Sequence, residues 1–195
     1  MHDVLGHNLF LVKEHLGLLK AANNFDIIDP QTGQIILHCR EPNLGWLTRI
    51  LRFTQYKRYT PFDIHVTTPD GTPIIRAVRR ATFIRSRVTV LDERDRKLGG
   101  FSQRLLSIGG AFEVLDDEDQ PLCELKGKWT GWDFRFVADN HELAHVSKKW
   151  AGLGKEFFTS ADNYMLEIST SVPTDSALRQ LILSAVLCID MVLKE

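Results

Sequence analysis

Several features that mark other classes of protein are missing from this sequence of 195 residues. Its three cysteines, Cys39, Cys123 and Cys188, have neither metal-binding nor redox spacing, which is typical of reduced, buried thiols in a cytosolic protein. The longest apolar run, 181–193, has about 13 residues, whereas a bilayer-spanning helix needs about 20. The net charge is -1, so any attraction to an anionic membrane must come from a local patch. The N-terminus has no basic start, so we expect no secretory signal.

The motifs of common enzyme chemistry are also missing. The sequence has no nucleophile elbow, no phosphate-binding loop and no dinucleotide fingerprint. The four acidic residues 116–119 crowd one turn, which favours a solvated turn over a catalytic carboxylate pair. We therefore expect no catalytic residues, no cofactor and no bound metal, and we predict that the protein is not an enzyme.

A strand–turn–strand pattern is present five times. Each copy has an apolar strand, a turn rich in Asp, Asn and Gly, and a second apolar strand. Apolar residues alternate before each turn, as they do in half-buried strands. An opening strand near LFLVKEH and a closing strand near NYMLEIS bring the predicted total to about twelve. The copies begin at Phe25, Phe62, Val88, Phe112 and Phe134.

The pattern ends in SALRQLILSAVLCIDMVLKE, a segment that is apolar on every side of a helix. Such a helix is buried, and a closed barrel of about twelve strands is wide enough to hold it. The predicted fold is therefore mainly β, a closed antiparallel barrel of about twelve strands enclosing a hydrophobic helix at about 176–193. We expect one domain over 1–195. We also expect the Ser184 hydroxyl to bond the backbone one turn earlier, and Asp190 to have a buried or barrel-mouth partner.

A second helix, at about 44–56, is predicted between the first two hairpins because its apolar residues have helical spacing. It opens a strongly basic stretch, in which nine basic and two acidic residues lie between Arg49 and Arg87. Arginine suits phosphate groups because its guanidinium donates two parallel hydrogen bonds. The alternative is a solvated surface, or arginines paired with the acidic turns. The predicted lipid-binding residues are Arg49, Arg52, Arg76, Arg79, Arg80, Arg85, Arg87 and Trp46.

Trp46 opens this basic segment, and two positions suit it. Tryptophan is enriched at membrane interfaces, where its ring lies at the level of the headgroups. Alternatively, Trp46 packs across one end of the barrel. Nucleic acid is not an expected partner, because the stretch lacks a clear platform of stacking aromatic residues.

The C-terminal third contains HVSKKWAGLGKEFFTSADNYMLEI, from His145 to Ile168, followed by the apolar helix with Cys188, Ile189 and Asp190. This region resembles the phospholipid scramblase family and is equally similar to the LURP-one proteins of the tubby-like superfamily. The resemblance implies a twelve-stranded barrel around a central hydrophobic helix. It also implies a calcium segment at 160–171. A calcium loop needs several oxygen ligands, a Gly at its bend and an acidic last position, but this segment has Met165 at the bend and ends at Ser171.

One further motif points to different chemistry. His141-Glu142-Leu143-Ala144-His145 matches the HExxH signature of zinc peptidases, which requires both imidazoles on one helix face, one turn apart. The same residues form the second arm of the fifth hairpin. On a strand the two histidines lie about 13 Å apart, at about 3.3 Å per residue, which is too far to share a metal.

The predicted function is a non-catalytic tubby-like module that binds a ligand. The expected partner is acidic phospholipid headgroups at a membrane surface or a protein, and the expected location is cytoplasmic or peripheral to a membrane. A phospholipid scramblase is the alternative function, and an HExxH zinc hydrolase is the least favoured. No transmembrane span is expected.

Overall fold

The described part of the chain forms twelve strands and two α-helices in a computed structural model. The described residues are 3–15, 24–42, 44–52, 54, 60–81, 87–103, 112–128, 132–148 and 163–193. A short 3-10 helix, Asp3–Gly6, precedes the first strand. The helices are α1 (Trp46–Leu51) and α2 (Ala177–Leu193). The strands are β1 (Leu9–Glu14), β2 (Phe25–Ile28), β3 (Ile35–Arg40), β4 (Phe62–Thr67), β5 (Pro73–Arg79), β6 (Arg87–Asp92), β7 (Lys97–Gln103), β8 (Phe112–Leu115), β9 (Pro121–Lys128), β10 (Asp133–Ala138), β11 (His141–Ser147) and β12 (Asn163–Ile168).

The twelve strands form one closed antiparallel barrel. Each strand pairs with its neighbours along the chain, and β1 also pairs with β12, where Leu9 lies opposite Glu167. This last pairing leaves no open edge, which is how barrels avoid edge-to-edge aggregation. The predicted fold is confirmed, and the five repeats are the hairpins β2–β3, β4–β5, β6–β7, β8–β9 and β10–β11.

Alternation along each strand separates the inside of the barrel from the outside. In β4, for example, Phe62, Ile64 and Val66 are buried in the core, while Asp63 and His65 lie on the outer face. Because side chains alternate across a strand with a period of two, this pattern fixes which face of β4 is inward.

The two ends of the barrel differ in the length of their connections. One end carries the short turns within the five hairpins, and four of these turns contain an aspartate that accepts hydrogen bonds from its own turn. Asp92, for example, accepts hydrogen bonds from the backbone N–H groups of Arg94 and Arg96. The other end carries the connections between hairpins, most of which are longer, including the connection that contains α1. We refer to these as the turn end and the connection end.

Helix α2 runs inside the barrel from the turn end to the connection end. Residues 181–189 are all buried, as expected for a helix that is apolar all round. The wall approaches the helix closely at Gly99, whose φ is 146° and where a Cβ atom would lie 3.1 Å from Leu181 Cδ2. The observed bounds agree with the prediction of about 176–193. In the described part of the chain, neither helix combines the length and the hydropathy of a membrane span.

Two details of the helices differ from the sequence-based expectations. Helix α1 is shorter than 44–56, since it ends at Leu51. Ser184 Oγ is buried and has no hydrogen-bond partner among the described residues, so the expected bond to the preceding turn is absent. The side chain of Asp190 lies outside the described residues.

Arg179 connects the first turn of α2 to the N-terminal segment. Its side chain is buried, with 2% of its surface exposed, and its guanidinium is surrounded by oxygen acceptors. A buried cation needs such acceptors because it has lost its water. The acceptors are the carbonyls of Val172, Pro173, Leu5 and His7 and the Asn8 side-chain amide, at 2.6–3.2 Å.

We expect Arg179→Met to lower the free energy of unfolding by about 3 kcal/mol or more, because several buried oxygens lose their donor. Denaturant unfolding followed by circular dichroism measures this change. Arg94→Met is the matched control, because Arg94 is exposed, and it should change stability by less than about 0.5 kcal/mol. Equal losses in the two variants would contradict the role assigned to Arg179.

We expect Ser184→Ala to raise the free energy of unfolding by about 1 kcal/mol, because it removes a buried hydroxyl that has no partner. The same substitution at Ser176 should have the opposite effect. Ser176 Oγ accepts the backbone N–H of Leu178 at the start of α2, and losing such a cap costs about 1 kcal/mol. Thermal and denaturant unfolding of both variants test the pair, and a destabilised Ser184→Ala variant would show that the hydroxyl is satisfied.

Candidate functional site

The predicted basic stretch does not form one continuous surface. Of its seven arginines proposed to bind lipid, two are buried, two are engaged by outward-facing aspartates, two are exposed, and Arg85 lies outside the described residues. Each group has a different capacity to bind a ligand.

Arg52 follows α1 and is held inside the protein. Its guanidinium bonds both carboxylate oxygens of Glu41, at 2.5 and 2.6 Å, and donates to the Pro61 carbonyl at 2.8 Å. Both side chains of the ion pair are almost fully buried, at 4% and 2% exposure. Such a bidentate pair fixes geometry as well as charge. Arg52 therefore anchors α1 to the end of β3, and we leave it out of the ligand-binding surface.

Arg79, the last residue of β5, points into the barrel. It has the same inward parity as Ile75 and Ala77, and 2% of its surface is exposed. Its guanidinium donates to the Thr60 carbonyl at 2.6 and 3.1 Å and lies 4.7 Å from the centre of the Phe62 ring. Burial lowers its pKa to about 10, so the group stays charged at neutral pH. Arg79 is also left out of the ligand-binding surface.

Arg76 and Arg87 face outward but already have acidic partners. Arg76 donates to both carboxylate oxygens of Asp63, at 2.8 and 2.9 Å, and to Asp95 at 3.0 Å. Arg87 forms an ion pair with Asp119. Their charges are therefore largely offset, which matches the alternative interpretation of arginines paired with the acidic residues.

The exposed part of the predicted site is centred on α1. Trp46 and Ile50 are 75% and 55% exposed, more than any other large apolar side chain in the described part of the chain. They are four residues apart, so they share one face of the helix. Arg49 is exposed beside them, and Arg80 is exposed at the end of β5. We call Trp46, Arg49 and Ile50 the α1 surface.

A cluster that the sequence did not indicate lies on the outer wall near the connection end. Asp26 Oδ2 lies 2.6 Å from His15 Nε2, and Asp26 Oδ1 lies 2.9 Å from His38 Nδ1 and 2.6 Å from an Arg40 nitrogen. Burial raises the pKa of Asp26, but the hydrogen bonds from His38, Arg40 and His15 outweigh this effect and lower it to about 2. The register of β1, β2 and β3 creates this cluster, because Asp26 lies opposite both Lys13 and His38.

The HExxH residues have strand geometry. His141–His145 belong to β11, so the two histidines do not lie one helical turn apart. Glu142 accepts a bond from Arg135 at 3.1 Å, and His145 lies 2.8 Å from Asp133. The helical arrangement that the zinc-peptidase motif requires is therefore absent from this segment.

The segment compared with a calcium loop is also partly a strand. Residues 163–168 form β12, and Met165, at the position of the expected bend, is buried. Residues 160–162 lie outside the described part of the chain.

Cys39, Cys123 and Cys188 are buried free thiols, as expected. Burial raises the pKa of Cys123 to about 12 and also raises the pKa of the other two thiols, which makes them unreactive.

A cleft of about 670 Å³ lies at the turn end, on the other side of β1 from the cluster around Asp26. Its volume is in the range of small-molecule sites. The residues lining it include two of the HExxH positions but none of the predicted lipid-binding residues. Its polar lining includes His7, Asp29, Gln31, Glu142, His145 and Glu167.

We expect Asp26→Asn to lower the free energy of unfolding by about 2 kcal/mol near pH 6, since the depressed pKa of Asp26 reflects a carboxylate stabilised in the folded state. A depressed carboxyl pKa contributes stability above its unfolded value, and this contribution disappears as pH falls toward the folded value. The difference between wild type and variant should therefore shrink between about pH 4 and pH 2. Denaturant unfolding across this range measures it, and a constant difference would contradict the assignment.

Comparisons with known proteins agree with this architecture. A family model described as Scramblase matches residues 13–195. No curated protein matches. The crystal structure of an Arabidopsis thaliana protein is similar, with a TM-score of 0.54 and 15% sequence identity over 95% of this chain and 92% of that chain. At this identity the likeness supports the fold alone. The match of the family model over almost the whole chain shows that the protein belongs to the Scramblase family.

Proposed function

We propose that this protein is a non-catalytic tubby-like module that binds acidic phospholipid headgroups at a membrane surface, through the α1 surface. The observation that carries the proposal is the exposure of Trp46 and Ile50 on one face of α1, with Arg49 beside them. Tryptophan and a long aliphatic side chain can enter the interface while arginine remains at the phosphates. The proposed location is cytoplasmic and peripheral to the membrane.

The way α1 is attached supports this proposal. A helix of six residues is not stable by itself in water, but the buried Arg52–Glu41 pair holds its C-terminal end against the barrel. The apolar face of α1 is therefore presented in a fixed position. A surface that is already ordered binds with a smaller loss of conformational entropy than a flexible one.

Membership of the Scramblase family is consistent with lipid as the ligand. Alternatively, the same face binds a protein partner. The vesicle experiment described below distinguishes this alternative from lipid binding. Lipid scrambling remains the second candidate function, and only the family match favours it. Helix α2, the most apolar segment, is enclosed by the barrel wall, so our proposal assigns the membrane contact to α1 instead.

We expect the purified protein to sediment with vesicles containing phosphatidylglycerol but not with vesicles of phosphatidylcholine alone. Added salt should weaken this binding, because salt screens the attraction between exposed charges. In physiological salt the screening length is about 8 Å. The Trp46→Ser/Ile50→Ser variant should bind more weakly by a factor of about ten or more, since it removes the apolar area that enters the interface.

The matched control is Ile35→Ser/Leu122→Ser, which removes two exposed apolar side chains from strands away from α1. Arg49→Glu should weaken binding, while Arg94→Glu, in a turn at the turn end, should change it little. Equal binding to both kinds of vesicle, or equal binding by the two double variants, would overturn the proposal. A scrambling assay on the same vesicles, with a fluorescent lipid, tests the second candidate.

A further inference from the structure

Three histidines lie on neighbouring strands of the outer wall near the connection end. His15 directly follows β1, His38 is on β3 and His65 is on β4. Their side chains are 39%, 31% and 39% exposed, so solvent reaches part of each ring, while the Nε2 atom of His65 itself is buried. We call these three residues the histidine surface.

Strand register places arginines and aspartates among these histidines. His65 lies opposite Arg40 on one side and opposite Arg76 on the other. His65 Nε2 is 3.2 Å from Asp63 Oδ1, and both other histidines contact Asp26. The histidine surface is therefore one continuous charged area that crosses β1 to β5.

At neutral pH the fixed charges of this area are close to balance. Imidazole is the side chain whose charge ordinarily changes between about pH 5 and pH 8, so this is the range in which the area can gain positive charge. Glu41, directly after β3, is neutralised by Arg52. The positive groups that face the area are Lys13, Arg40 and Arg76, and the negative groups are Asp26, Asp63 and Asp95.

We propose that the histidine surface is a proton-controlled binding site for the phosphate groups of anionic lipids. Protonation of its three imidazoles adds three positive charges to an area that is otherwise nearly neutral. This inference rests on the proposed function, because it extends the lipid contact from α1 to the adjoining wall. The result is a protein that binds anionic membranes more strongly in a mildly acidic compartment or at an acidic surface.

Two observations support this proposal. The aspartates beside the histidines do not take up the added protons themselves, because the pKa of Asp26 is about 2 and hydrogen bonding by Arg76 lowers the pKa of Asp63. The position is also suitable, since β3 ends at Arg40 and α1 begins at Trp46, six residues later at the same end of the barrel. One membrane surface can therefore contact both areas.

Vesicle sedimentation at pH 7.5 and pH 5.5, with constant salt, tests the proposal. Phosphatidylglycerol in a phosphatidylcholine background is the probe, because its phosphate keeps one negative charge over this range. At roughly 1 kcal/mol per positive charge near an anionic surface, we expect the partition coefficient to rise about tenfold or more at pH 5.5. The triple variant His15→Gln/His38→Gln/His65→Gln should show a change of about twofold or less.

Two controls isolate the three histidines. The variant His7→Gln/His141→Gln/His145→Gln removes the same number of histidines around the turn end and should keep the full pH response. The variant His38→Arg/His65→Arg carries two of the charges permanently, so it should bind more tightly than wild type at pH 7.5. This second variant also tests the proposal independently of the folding of the triple Gln variant.

The outcomes separate this inference from the proposed function. If wild type binds at neither pH, the proposed function fails and this inference fails with it. If wild type binds equally at both pH values, or if the triple Gln variant keeps the response, the histidine surface is not the proton-controlled site and the proposed function stands. Loss of the response in the turn-end control would also overturn the inference, because any three histidines would then suffice.

Discussion

The enclosure of α2 by the closed barrel is the constraint on which the rest of the structure depends. An apolar helix inside the barrel requires inward-facing apolar side chains on all twelve strands, and β4 shows the resulting alternation. The helix also requires the wall to come close where it passes, as at Gly99. Arg179 then fixes the beginning of α2 to the N-terminal segment through a set of carbonyls. In the described part of the chain, the residues that a ligand can contact therefore lie on the outer wall or at the two ends.

The two ends of the barrel have different roles, and this difference follows from the enclosure of α2. Short turns close hairpins efficiently and leave little room for a ligand, whereas the longer connections can carry additional structure such as α1. The Arg52–Glu41 pair shows how this end is built, because a buried ion pair holds a short helix whose apolar face remains in solvent. The proposed function uses this exposed face, while the cleft at the turn end remains a separate concave feature.

Sequence patterns predicted the fold well because period-two alternation, Asp-rich turns and an all-apolar helix are local signals. The site was harder, because it depends on burial and register. Arg79 has the same inward parity as Ile75 and Ala77, so the sequence already indicated that its side chain points into the barrel. The prediction placed it on the surface because arginine is usually a surface residue. The cluster of His15, Asp26 and His38 had no local signal. It forms because β1, β2 and β3 pair in one particular register, which a single sequence does not specify.

The pairing of β1 with β12 has a consequence for how the protein is made. Leu9 and Glu167 lie at opposite ends of the strand order, yet they are neighbours in the sheet. Ribosomes release the chain from its N-terminus at about 5–20 residues per second, so the first strand must wait several seconds for its partner. During this time the inward faces of the early hairpins lack the helix that will cover them. Folding of this barrel is therefore a late event in synthesis, and chaperones have the longest access to its earliest strands.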